Sequence, residues 1–485
     1  MSRARASIRL LRLLQLLPVP VLAVTAALPE ASARASGFLT DQFGADQGQP
    51  ALANVYSVYF NPGAMAGMRG SEITIDGVLA ARSLDYNRSP SALSYSGLQT
   101  NPPTGAVGDP VYSASNTGQA HLFNVLAAPF AGFVTDFGGS KWRLGVAAYI
   151  PFGGELSWGK NSTYANSVSA PGGYDGPQRW STISASTSSI YSTAALAYRF
   201  EKARLGIGVS ASVIDTSLQD TRARDVDGSD DILGPGGTLK EGRSYLNVSG
   251  AQVGAAAGVY WEATADGALR LGASYTSQPG FGTMRLKGNF SLDPASPGAN
   301  PADLLQAYPD IIRFGGAWRV RPDTEIRLDG DWQRWSQFKS QCIVNPGTPC
   351  NTDSSGVVPV TATNVKLDLP RDFKDSFKLR LGVAYWVAPE TELFASFAWE
   401  SPPTDKSHED PLIFDSTRLE GTIGARHAFT KHIYASLSYT YVYLLPLTIN
   451  DSAYDNYPGV SRSPSANGSY SSELYIFDGA VSYRF

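Results

Sequence analysis

Few residues in this chain could do covalent or metal chemistry, and their spacing argues against both. Among 485 residues there are four His (His121, His408, His427, His432) and two Cys. No CxxC pair, HExxH motif or phosphate-cradling glycine loop occurs, so ligand sets for a metal or a nucleotide are lacking and no cofactor is expected. A lipase-like site would need a Ser and a His oriented by Asn or Asp, and His121 and His432 have no obvious partner. Cys342 and Cys350 fall in one long loop of a chain that reads as exported, which predicts a structural disulfide. Asp225, Asp227, Asp230 and Asp231 could offer hard oxygens to Ca²⁺, but the bidentate Glu of a calcium loop is missing at the right offset, so a solvated loop is the better account. What remains is charge on alternating segments. Lys378 and Arg380 share a face opposite Arg327, Asp329 and Asp331. Either these charges form a ladder that stiffens a wall, or one of Arg222, Lys287, Lys378 and Arg380 fixes a ligand carboxylate in an apolar pocket through a charge-assisted bond.

The segments that would position these residues have a period of two. In Glu473 to Phe485, Tyr475, Phe477, Val481, Tyr483 and Phe485 alternate with Asp478, Ala480, Ser482 and Arg484. Ile326, Leu328, Gly330 and Trp332 alternate with Glu325, Arg327, Asp329 and Asp331, and the stretches 377–387 and 433–445 repeat the pattern. One face large and apolar, the other small or charged, over about ten residues with aromatics near the ends, is the mark of a strand between lipid and a wet lumen. The 48 Gly, 24 Tyr, 21 Phe and 9 Trp suit such strands and their aromatic girdles.

The N-terminus carries Arg3, Arg5, Arg9 and Arg12, an apolar run from Leu13 to Leu28, and small residues at Ala31, Ala33 and Ala35. Residues 1–35 therefore read as a secretory signal peptide. This segment holds five Arg and one Glu, so its removal takes the formal charge from −4 to −8, which gives no reason to expect nucleic acid. Residues 36–70 do not alternate but are apolar enough to pack, through Phe38, Leu39, Phe43, Val55, Tyr56, Val58, Tyr59 and Phe60. A barrel of this size has a lumen to fill, and the segment is expected to be a plug.

Short turn signals at 137–141, 199–203, 264–268, 320–324, 387–391 and 429–432 alternate with long polar connections near 87–118, 159–179, 223–242, 293–308, 339–372, 402–415 and 447–472. Six short and seven long connections join fourteen strands. The expectation is an all-β protein: a fourteen-stranded antiparallel transmembrane β-barrel over 71–485, closed so that no edge faces lipid, with an N-terminal plug.

Several local motifs carry a resemblance. The start Ser36-Gly37-Phe38, the run Phe60-Asn61-Pro62-Gly63-Ala64-Met65, the run Tyr149-Ile150-Pro151-Phe152-Gly153-Gly154 with Trp158, and Trp335-Ser336-Gln337-Phe338 with Phe373-Lys374-Asp375 together resemble the FadL family of outer-membrane transporters for long-chain fatty acids and other hydrophobic compounds, including its TodX-like branch. Phe60 to Met65 looks like the family's Asn-Pro-Ala plug motif with Gly63 inserted before the Ala. The resemblance implies a hatch and a kinked third strand that opens a lateral gap, here at Pro151, Phe152, Gly153 and Gly154. Independently, Pro151 has no amide hydrogen for a ladder, and paired glycines permit a bulge. The loop at 223–242 is short and charged compared with the family's outer capture loop.

The function expected is passive uptake of a hydrophobic small molecule, a fatty acid or hydrocarbon, across the bacterial outer membrane by a monomer whose partners are that ligand and outer-membrane lipid. An open aqueous pore gains such a ligand no burial, whereas a plugged barrel with an apolar site and a sideways exit does. A lipid-modifying barrel enzyme and a general porin or adhesin are the alternatives.

Overall fold

Alternation of large apolar and small or charged residues produces, among the described residues, eighteen β-strands in one antiparallel sheet. A computed structural model describes residues 43–93, 110–234 and 238–485. The expected signal peptide and the Ser36-Gly37-Phe38 start lie outside the described residues. In chain order the strands are β1 (Ser71–Arg88), β2 (Gly118–Thr135), β3 (Trp142–Ser157), β4 (Ser184–Phe200), β5 (Leu205–Arg224), β6 (Gly242–Glu262), β7 (Leu269–Thr276), β8 (Met284–Asp293) and β9 (Ser296–Gln306). They continue with β10 (Ile311–Arg321), β11 (Thr324–Gln333), β12 (Ser340–Val344), β13 (Val365–Pro370), β14 (Ser376–Ala388), β15 (Thr391–Glu400), β16 (Arg418–Ala428), β17 (Ile433–Ile449) and β18 (Gly468–Arg484).

Fourteen of them close a barrel. The ring runs β1 through β7, then β10, β11, β14, β15, β16, β17 and β18, and closes by pairing Glu72–Arg88 of β1 with Gly468–Arg484 of β18. Closure leaves no lipid-facing edge along that seam. The four other strands continue the wall at one end. β8 pairs with the end of β6 that begins at Arg243, β9 with β8, β12 with β9, and β13 with β12. Four neighbouring wall strands are thus interrupted at one height, after Thr276, before Ile311, after Gln333 and before Ser376. The ring strands below that level are short enough to cross a bilayer once: β10, β11 and β15 have 11, 10 and 10 residues.

The short turns fall at the predicted places, but two long connections do not. Residues 293–308 read as a loop because of Pro294, Pro297, Gly298 and Pro301, yet they hold the β8–β9 hairpin, and 339–372 contains β12 and β13. These strands are two-faced only in part, so period two is weak there. Facing follows the reading elsewhere: Ile75, Leu381, Leu437 and Val481 are exposed outward, while Arg327, Glu325 and Asp478 are buried within.

Candidate functional site

Residues 43–68 pack against the inward faces of the barrel strands, and two kinds of contact hold them. The first is polar. Arg327 on β11 binds Asp46 and also Glu325 (2.9 Å) and Glu392 (2.6 Å). Arg380 on β14 donates to Ala45 O (3.0 Å), Gly48 O (2.8 Å) and Asp329 (3.0 Å). The Gly44 amide donates to both Asp76 (2.8 Å) and Asp478 (3.1 Å). The second is close backbone packing around the Asn-Pro motif. Asn61 Nδ2 donates to Pro50 O and to Val259 O on β6, each at 2.8 Å, and its Oδ1 accepts from Gly63 N. A Cβ at Gly63 would stand 2.5 Å from Gly258 O, and one at Gly208 would stand 2.4 Å from Pro62. The inserted glycine is therefore what lets Phe60 to Met65 lie on the strand backbone of β5 and β6. Aromatic rings complete the packing: Phe43 stacks on Phe130 (5.1 Å), and Tyr149 lies 4.9 Å from Tyr59.

The third strand departs from the ring where Pro151 was singled out. β2 and β3 pair only from Phe130–Tyr149 down to Thr135–Leu144. Beyond that level β2 keeps its partner β1, and β3 keeps β4, with a register shift between Tyr149 and Phe152. Two contacts bridge the parted edges, Asn124 Nδ2 to Glu155 O (2.6 Å) and Gly159 N to His121 O (3.0 Å). Gly153 and Gly154 are paired with Ser188 and Thr187 and do not have positive φ. The irregularity sits at Ile150–Pro151, so the paired glycines are not the source of the bulge.

Beside this edge lies a partly open cavity. Gly154 and Leu156 of β3 border it, and Leu246, Leu304, Ile343 and Leu369 make it largely apolar. Trp335 and Phe338, from the motif Trp335-Ser336-Gln337-Phe338, form part of its wall, and Phe373 packs on both at 5.8 and 4.9 Å. Two arginines reach it. Arg222 is 3% exposed, its Nε lies 3.5 Å from Asp220, and that Nε has no hydrogen-bond partner among the described residues. Among the described residues Arg82 on β1 makes long bonds, 3.4 Å to Ser472 and 3.3 Å to Phe414 O.

The other expected anion-binding cations are elsewhere. Lys287 is exposed on the outer face of β8, because Met284, Leu286 and Phe290 take the inner one. Lys378 pairs with Glu420 at 2.8 Å and stands in a cross-strand row with alternating charge, Arg313, Asp331, Lys378, Glu400 and Arg418. Arg380 is taken up by Asp329 and the internal segment. Lys378 and Arg380 are thus both paired with wall carboxylates, and of the four only Arg222 borders the cavity. Arg82 was missed, although the alternation of β1 puts it on the inner face between Ala80 and Leu84. Tyr308 carried no sequence signal, since it lies in the interruption between β9 and β10.

Cys342 and Cys350 form a disulfide. In the acidic loop, Lys240 Nζ reaches Asp227 (2.8 Å) and Asp231 (2.7 Å) and lies 3.6 Å from Asp225, so a lysine takes the place a cation would need. Burial pushes the Asp225 carboxyl up to about 8.

A closed antiparallel barrel with lipid-suited exterior, charged interior and an internally packed N-terminal segment defines an outer-membrane barrel protein. The sequence profile of the outer membrane protein transport family (OMPP1/FadL/TodX) matches residues 23–485, and the chain belongs to that family. A FadL homologue of Pseudomonas aeruginosa is similar at 16% identity and TM-score 0.68 over 91% of this chain and 98% of that one. The toluene transporter TodX of Pseudomonas putida is similar at 14% and 0.61, over 92% of this chain and 100% of that one. TbuX, a toluene transporter of Ralstonia pickettii, is similar at 16% and 0.56, over 93% and 99%. At these identities the structures show the fold. No curated relative matches the chain significantly. The protein is a FadL/TodX-like outer-membrane transporter of hydrophobic compounds, located in the bacterial outer membrane, and its family and structural neighbours are transport channels, not enzymes.

Proposed function

We propose that the protein is a monomer that carries a hydrophobic small molecule passively from the outer surface into the apolar cavity, then sideways into membrane lipid between β2 and β3, while residues 43–68 act as a hatch that keeps the lumen closed to water. One observation carries this: the apolar cavity borders Gly154 and Leu156, on the strand whose ladder to β2 stops at Tyr149. An apolar ligand stays buried along that route, whereas an axial path would expose it to charged walls. The bulge at Ile150–Pro151, with Phe152 beside it, would be the lateral opening. Arg222, with Arg82 nearby, would hold a carboxylate head group, since a buried guanidinium Nε that makes no hydrogen bond among the described residues suits a charge-assisted bond. A long-chain fatty acid is the ligand this arrangement suits best, and an uncharged hydrocarbon such as those carried by the TodX-like relatives would use the apolar part alone.

Gly154→Phe tests the reading by filling the cavity. Binding and uptake of a labelled fatty acid should both fall, with normal heat-modifiable mobility of the barrel on a gel. Unchanged binding and uptake by the folded variant would contradict the cavity's role.

A further inference from the structure

We infer that Leu412 and Ile413, carried on the outer loop between β15 and β16, set the largest ligand the cavity accepts. The inference rests on the cavity being the ligand site, as proposed above, and adds the residues that select by size. β15 and β16 stand across the ring from β3, yet Leu412 and Ile413 line the same cavity as Gly154 and Leu156. The loop therefore reaches over the lumen and supplies a wall that the strands on the cavity's own side do not. Its sequence explains why. Leu412-Ile413-Phe414 is the one apolar triplet in the polar connection 402–415, flanked by Asp410 and Asp415, and burial of that triplet draws the loop inward. Ile413 is buried, Phe414 stacks on Tyr470 at 4.9 Å, and Leu412 packs against the same core.

Hydrogen bonds at both ends fix where this wall stands. Asp410 Oδ1 accepts from the amides of Leu412 (2.7 Å) and Ile413 (3.1 Å), while its Oδ2 accepts from Arg371 Nη1 (2.7 Å). Arg371, fully buried just past the end of β13, also donates from Nε and Nη2 to Gln341 Oε1, at 3.0 and 2.6 Å. Gln341 of β12 itself borders the cavity, so Arg371 ties the loop to the β12 side of the pocket. On the other flank Arg418 of β16 pairs with Asp415 (2.7 Å), and Arg82 donates to Phe414 O (3.3 Å). An apolar wall pinned through its backbone cannot retreat without breaking these bonds, so the side chains at 412 and 413 decide how much volume is left for a ligand.

The test measures equilibrium binding of labelled toluene and phenanthrene, rigid probes of different size without a head group, to the detergent-solubilised full-length protein. Ile413→Ala opens space continuous with the cavity and is expected to raise the phenanthrene-to-toluene affinity ratio on the order of tenfold, the scale on which a few methylene groups in an apolar pocket discriminate. Ile413→Trp should lower that ratio. If Ile413→Ala does not fold, as judged by heat-modifiable mobility, Leu412→Ala carries the test, with the same direction of change expected. A role in loop packing alone would weaken both probes equally, so a wild-type ratio in the folded Ala variant overturns the inference. Failure of the cavity reading shows itself differently, as unchanged toluene binding by Gly154→Phe.

Discussion

Arg380 uses each of its three nitrogens within the protein: Nε to Asp329, Nη1 to Ala45 O and Nη2 to Gly48 O. Arg380→Met should therefore strand Asp329 and free the internal segment, lowering stability by about 3 kcal/mol, as when one partner of a buried pair is lost. Uptake of a fatty acid and of toluene should change alike, which thermal melting and uptake of both ligands would check. Arg222 differs because its Nε, 3.5 Å from Asp220, makes no hydrogen bond among the described residues and the cavity is beside it. Arg222→Met combined with Asp220→Asn, so that no carboxylate is left alone, should weaken a fatty acid by roughly 1.5 to 3 kcal/mol and leave toluene nearly unchanged. Equal losses for the two ligands in a binding titration would make Arg222 a structural residue. Alternation gave the facing of both side chains correctly, but it carries no information on height in the barrel, and height decides which of them meets the segment and which the cavity.

At the scale of elements, the proposed hatch, residues 43–68, is tied to the wall through Asn61. Asn61→Ala removes the bonds to Pro50 O and Val259 O, and protease sensitivity of residues 43–68 should rise with barrel mobility unchanged. Continued protection would show that the charged contacts alone hold it. The loop between β5 and β6 offers a pH test. Asp225 binds its proton more tightly in the folded loop than in the unfolded chain, because burial raises its pKa to about 8. Its contribution to stability is full below the ordinary carboxylate pKa of about 4 and is lost as pH rises towards 8. Cleavage of this loop by protease should increase from pH 5 to pH 8, and Asp225→Asn should flatten that dependence. The ring strands were legible because one face meets lipid and the other the lumen along their whole length. β8, β9, β12 and β13 were not, since Pro and Gly mask their short pairings. Of the two reasons read in the motif Tyr149 to Gly154, the missing amide hydrogen of Pro151 coincides with the register shift at Ile150–Pro151, whereas Gly153 and Gly154 stay in register.

For the molecule as a whole, the central claim is that a ligand leaves through the wall and not along the axis. The parted edges of β2 and β3 approach at Asn124 and Glu155, where Nδ2 meets the backbone oxygen at 2.6 Å. With the native cysteines already joined as a disulfide, Asn124→Cys and Glu155→Cys supply the only free thiols in the chain. Bridging them with a short, reducible bifunctional thiol reagent closes the edge without touching the cavity or the hatch. The direct measurement is uptake of a labelled fatty acid before bridging, after bridging, and after reduction. Loss of uptake on bridging, restored by reduction, with ligand binding retained throughout, is the predicted result. Wild-type uptake through the bridged barrel would contradict a lateral exit.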